Sequence, residues 1–138
     1  MLVTNRRMEN WGVSAEQMFQ DALLNTRCLM GETIRPMKEV ILEMMKRICM
    51  EAEDALPELD LPFYILTNLW RKNGAVCFLF ENTLKRFADM QGSDLYVVPS
   101  SIHEVILIPT DSGFSRMQLD QVIREINQKE LSPSEILS

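Results

Sequence analysis

Apolar runs crowd the second half of the chain, and each is bounded by a turn or helix signal. Phe63-Tyr64-Ile65-Leu66 predicts a strand, and Asn73-Gly74 after it is a strong hairpin signal. Ala75-Val76-Cys77-Phe78-Leu79-Phe80 has no polar residue on either face, so it predicts a central strand covered on both sides. Asn82 is placed to cap a helix with Leu84, Phe87 and Ala88 on one face and Gly92 as its stop. Leu95-Tyr96-Val97-Val98, ended by Pro99, and Val105-Ile106-Leu107-Ile108, ended by Pro109, predict two more strands. Only Ser100 to Glu104 separate them, which makes them an antiparallel pair. Ser115-Arg116-Met117-Gln118 is a capping box, with Phe114 and Leu119 at the staple positions, and it opens a helix carrying Val122, Ile123 and Ile126.

The first half alternates differently. Residues 1–5 predict a short strand, followed by a connection through Trp11-Gly12. Ser14-Ala15-Glu16-Gln17 is another capping box. Phe19, Ala22, Leu23, Thr26 and Met30 follow at helical spacing until Gly31. Pro36 suits the first position of the next helix, where its missing N–H costs nothing. Met37, Ile41, Met44, Met45 and Ile48 form its stripe, widened by Val40, Leu42 and Cys49. A stripe that broad implies burial on two sides or self-association. Residues 51–60 are acidic, contain Pro57 and mark the internal boundary. Ser132-Pro133-Ser134-Glu135 is a third capping box with little chain after it, so both ends of the sequence look cut.

These elements predict a single α+β domain over residues 1–138. An antiparallel sheet with a β-β-α-β-β-α core spans residues 62–128. An N-terminal strand and two helices in residues 1–52 pack on it, joined by an acidic linker at 53–61. The apolar strands need cover on both faces, from helices or from a second subunit.

Composition narrows the functions. The chain has 138 residues, enough to bury a core without metal or disulfide. Its net charge is −6, which disfavours nucleic acid and anionic lipid as partners. No apolar run approaches a membrane span and no signal peptide is evident. Cys28, Cys49 and Cys77 are odd in number and form no CxxC pair, as expected of reduced thiols in a cytoplasmic protein. Ten methionines, mostly at helical spacing, read as core filler or as an adaptable binding surface.

Ser100, Ser101, His103 and Glu104 are the one cluster of catalytic residue types, and the chain's only histidine lies in it. In an extended segment Ser101 and His103 share a side while Glu104 points away, so the acid is badly placed to orient the imidazole. No Gly-x-Ser-x-Gly elbow accompanies them. A Cys77–His103 pair across the sheet is a second arrangement, opposed by the apolar neighbours of Cys77, which raise a thiol's pKa. One histidine and three scattered cysteines supply no closed zinc site, and no phosphate-binding glycine motif occurs. The sequence therefore predicts no metal and no cofactor. Arg6-Arg7 and Arg71-Lys72 are basic pairs near Trp11 and Trp70, where a small anion would fit but solvated loop charge suffices.

The run from Gly92 to Pro109, with its Pro99-Ser100-Ser101-Ile102-His103-Glu104-Val105 block, resembles the signature of an uncharacterised domain-of-unknown-function family from gut Clostridia. Tyr64-Ile65-Leu66-Thr67-Asn68, Asn73-Gly74-Ala75 and Leu131-Ser132-Pro133 resemble further blocks of that family. The front of the chain, Val3-Thr4-Asn5 with Trp11-Gly12-Val13-Ser14 and Asn25-Thr26, is similar to it and also to the YtpP-like UPF-type proteins of Bacilli. The resemblance implies the C-terminal part of a longer protein. It carries no reaction over, and it singles out Ser100, Ser101, His103 and Glu104 as the ligand-binding candidates. Three readings follow: a non-enzymatic binding or protein-interaction module, expected to self-associate or hold a protein partner; a small hydrolase or transferase using Ser101, His103 or Cys77; and a structural remnant of a longer protein. The first is favoured.

Overall fold

The computed structural model describes residues 2–48 and 62–129. The fold is α+β, a four-stranded antiparallel sheet in the order β1-β2-β4-β3 with helices on both faces. β1 is Thr33–Pro36, β2 Tyr64–Thr67, β3 Leu95–Pro99 and β4 Val105–Pro109. The helices are α1 (Asn5–Trp11), α2 (Ala15–Met30), α3 (Met37–Ile48), α4 (Thr83–Gln91) and α5 (Arg116–Lys129).

β4 shows why the sheet needs two covers. All five of its residues are buried, because neighbours along a strand point to opposite faces and both faces are packed. On one face Leu66, Val105 and Leu107 meet Cys77, Phe80 and Phe87, and Tyr64 stacks edge-on against Phe87 at 4.9 Å between ring centroids. On the other, Ile106, Ile108 and Val98 pack with Phe63 and with Leu119 of α5. Phe114, at the staple position before the helix, joins that layer 5.2 Å from Phe63. The capping box beside it is complete. The Gln118 N–H donates to Ser115 Oγ, and the Ser115 N–H donates to Gln118 Oε1. Each fully buried aliphatic or aromatic side chain contributes roughly 1.5–3 kcal/mol.

Several local expectations are corrected. Residues 2–4 carry no strand: Thr4 stands before α1, and its carbonyl accepts from the N–H groups of Arg7 and Met8. Gly12, at φ 66°, ends that helix. The strand in this half is Thr33–Pro36, which the sequence reading passed over. Pro36 is its last residue rather than the first of α3, as suits a residue without an N–H on an edge strand.

The largest difference is at Ala75–Phe80. No strand or hairpin forms there; Gly74–Leu79 is a 3₁₀ helix. β2 is already paired on one side by β1 and on the other by β4, so no edge is open to a hairpin partner. A short, wholly apolar run does not distinguish a buried strand from a buried helical turn. The acidic stretch 53–61, Cys49 and the capping box at 132–135 lie outside the described residues.

The N-terminal helices pack loosely. The Ser14 hydroxyl accepts from the Gln17 N–H, the Gln17 side chain donates to Asp21 rather than reaching back to Ser14, and Gly31 terminates α2. Yet none of the 16 residues of α2 is buried. Its contact with the body of the fold comes from Leu23, Arg27 and Met30 near its C-terminal end. Leu23 touches the core, Arg27 lies over the Phe80 ring and donates to the Glu81 carbonyl, and the Met30 carbonyl accepts from the Leu69 N–H.

Candidate functional site

The polar residues gather at one end of the sheet, where the loop after β2 meets the turn between β3 and β4. Asn68, wholly buried, organises the loop. Its Oδ1 accepts from the N–H groups of Trp70 (3.1 Å) and Lys72 (3.3 Å), and its Nδ2 donates to the Lys72 carbonyl (2.7 Å). These bonds hold Arg71 and Asn73 at φ 54°, a left-handed conformation that side chains other than glycine and asparagine rarely adopt. Gly74 follows with no room for a side chain. A Cβ there would stand 2.6 Å from the Asn68 nitrogen and 2.7 Å from the His103 carbonyl oxygen, both main-chain atoms.

The β3–β4 turn docks onto this loop. The Thr67 hydroxyl donates to the His103 carbonyl at 2.7 Å, and the Ala75 N–H donates to the Ile102 carbonyl. The His103 ring accepts at Nδ1 from the Asn73 N–H at 3.0 Å, so Nε2 carries the proton in the neutral ring. Ser101 is buried, and its hydroxyl accepts from the main-chain N–H of His103 at 3.0 Å. Ser101 and His103 are thus tied through the main-chain N–H of His103; a serine nucleophile needs its hydroxyl bonded to the imidazole itself. Ser100 is buried beside them, and Glu104 lies half-exposed on the sheet face under α3.

Cys77 belongs to the core. It has no solvent exposure, and its Sγ donates to the Gly31 carbonyl at 3.8 Å. Burial, with Glu32 nearby, pushes its pKa up to about 11. Such a thiol is protonated and a poor nucleophile at neutral pH.

A charged cluster that the sequence did not bring together lies around Glu104. Under the C-terminal half of α3 a cleft of about 290 Å³ opens between the helix and the sheet. Arg35 on β1 grips Glu43 of α3 with two bonds, of 2.6 and 3.0 Å. Arg71 reaches the same carboxylate from the loop at 3.1 Å. The two guanidiniums hold the Glu43 carboxyl at about 2, well below its usual value of 4.5. Arg71 was visible in the sequence as half of a basic pair. Arg35 and Arg47 had no signal there, because only the α3–sheet packing brings them to Arg71. Among the described residues no group of three or more His, Cys, Asp and Glu could hold a metal ion, and no helix is long and apolar enough to cross a membrane.

Comparison with known proteins gives one result. A model described as a family of unknown function, DUF5688, matches residues 1–138. No curated protein and no solved structure matches the chain.

Proposed function

Because the chain belongs to DUF5688, a family with no assigned activity, we propose from its own surfaces that it is a non-enzymatic interaction module that self-associates through α2. The observation that carries this is the helix's apolar stripe. It continues past the point where the fold covers it. Leu23 and Met30 face the body of the fold, while Phe19 on the same stripe is 52% exposed. Leu24 and Leu29 on the helix, and Leu69 and Leu79 beside it, are exposed as well. Leu24 and Leu79 line one shallow depression, and Leu69 lies against Gly31 at the end of α2.

A second copy is the occupant that fits. Phe19 and these leucines together expose several hundred Å² of apolar surface, a large part of the ~800 Å² each partner gives to a standard interface. A patch so apolar is complementary to itself, as an isologous pair requires. Its flanking charges, Glu16, Asp21 and Arg27, are mixed in sign and so do not forbid the pairing.

The test is solution mass across a concentration series. The expected result is a species of twice 16.0 kDa that dissociates on dilution and is lost in Phe19→Asp, with an unchanged circular dichroism spectrum. A monomer at every concentration up to about 1 mM, the range of the weakest useful affinities, would overturn it.

A further inference from the structure

We propose that the cleft beneath α3 is a binding site for a small organic monocarboxylate with an apolar body. The site is separate from the α2 surface. Its floor and roof are apolar: Ile65 comes from the sheet, and Val40 and Met44 come from the helix. At about 290 Å³ it stands at the lower end of small-molecule sites, which run from roughly 300 to 1,000 Å³.

The charges of the cleft are unevenly paired. Arg35, Arg47, Arg71 and Glu104 line it, and at its edge Glu43 pairs with Arg35 and Arg71 while Glu39 pairs with Arg35. Arg35 and Arg71 are committed to Glu43. Arg47 makes no ion pair or hydrogen bond among the described residues, and the hydroxyl of Thr33, on the cleft wall, makes none either. A guanidinium fork takes a carboxylate in two parallel bonds, and a hydroxyl can supply a third. Arg71 adds an independent observation. It is held in a left-handed backbone conformation by the buried Asn68, and strain of that kind concentrates where a side chain must be presented in one place. An amphipathic carboxylate satisfies every part of this cleft, with its anion on Arg47 and Thr33 and its body between Ile65, Val40 and Met44.

Octanoate is the probe, followed by amide NMR on the full chain. Two comparison compounds separate the parts: octanol has the body without the charge, and inorganic phosphate has the charge without the body. The expected result is saturable octanoate binding with Kd at or below ~1 mM, perturbing the amides of Val40, Met44 and Ile65. Octanol and phosphate should bind at least about tenfold more weakly, and Arg47→Gln should weaken octanoate by about tenfold or more. Arg47 is exposed and, among the described residues, unpaired, so this variant is expected to fold, and its wild-type-like amide spectrum checks that. Perturbation of the α2 amides instead of the cleft, equal binding of phosphate, no saturation by octanoate, or an Arg47→Gln protein that binds octanoate as wild type would each overturn the proposal.

Discussion

Asn68→Ala is the substitution that should cost most for the fewest atoms removed. The side chain is wholly buried and satisfies three main-chain groups, two N–H donors at Trp70 and Lys72 and the carbonyl of Lys72. At a net ~1 kcal/mol for each hydrogen bond, its loss costs about 3 kcal/mol. The left-handed Arg71 and Asn73 depend on the same bonds, so the loop that docks His103 loosens as well. With a urea m-value of roughly 1–3 kcal/mol/M, the unfolding midpoint should fall by about 1–3 M with m unchanged. Protein concentration must be held fixed, because association shifts apparent stability. Lys72→Ala is the control. Asn68 holds only the main chain of Lys72, so this change should stay within about 0.5 kcal/mol. A midpoint for Asn68→Ala within about 0.3 M of wild type would refute the claim that this side chain organises the corner.

Four further outcomes follow. Gly74→Ala should destabilise by more than about 2 kcal/mol in the same assay, because its Cβ would meet the main-chain atoms of Asn68 and His103 at 2.6 and 2.7 Å. Cys28, which is exposed, should alkylate readily at pH 8 while Cys77 stays unmodified until the chain unfolds, as read by peptide mass spectrometry. The Cys77 pKa is raised from 9.0 to about 11, so the folded state keeps its proton longer, and stability should fall as pH rises through that interval. The Glu43 carboxyl is lowered from 4.5 to about 2, so its contribution is present above 4.5 and is lost as pH falls toward 2. Carbon-detected NMR should show it titrating near the lower value, and Arg35→Ala should move it up.

How much of this was legible in the sequence depended on the range of the information. Local signals read well. The Ser14 and Ser115 caps, the Gly31 and Gly92 stops and the β3–β4 pair rest on residues a few positions apart, and each formed. The segment at Ala75–Phe80 did not read well, because its conformation is decided by β1 and β4 occupying both edges of β2, and β1 lies about forty residues earlier. β1 itself is four residues long with a proline at its end, too short for alternation to show. Ser101 and His103 were visible as a pair, but their geometry, with main chain between them, depends on how the turn docks on Asn73. The cleft under α3 left only Arg71 visible: Arg35, Arg47 and Arg71 share no spacing and meet only when α3 lies on the sheet.

Hydrogen exchange followed through dilution tests the role of α2 most directly. If a second copy covers its stripe, amides of residues 15–30 will be protected at high concentration and will lose that protection on dilution, while amides of the buried strand β4 stay protected throughout. Exchange in α2 that is fast, or slow, to the same degree at every concentration would contradict the interaction module proposed for this chain.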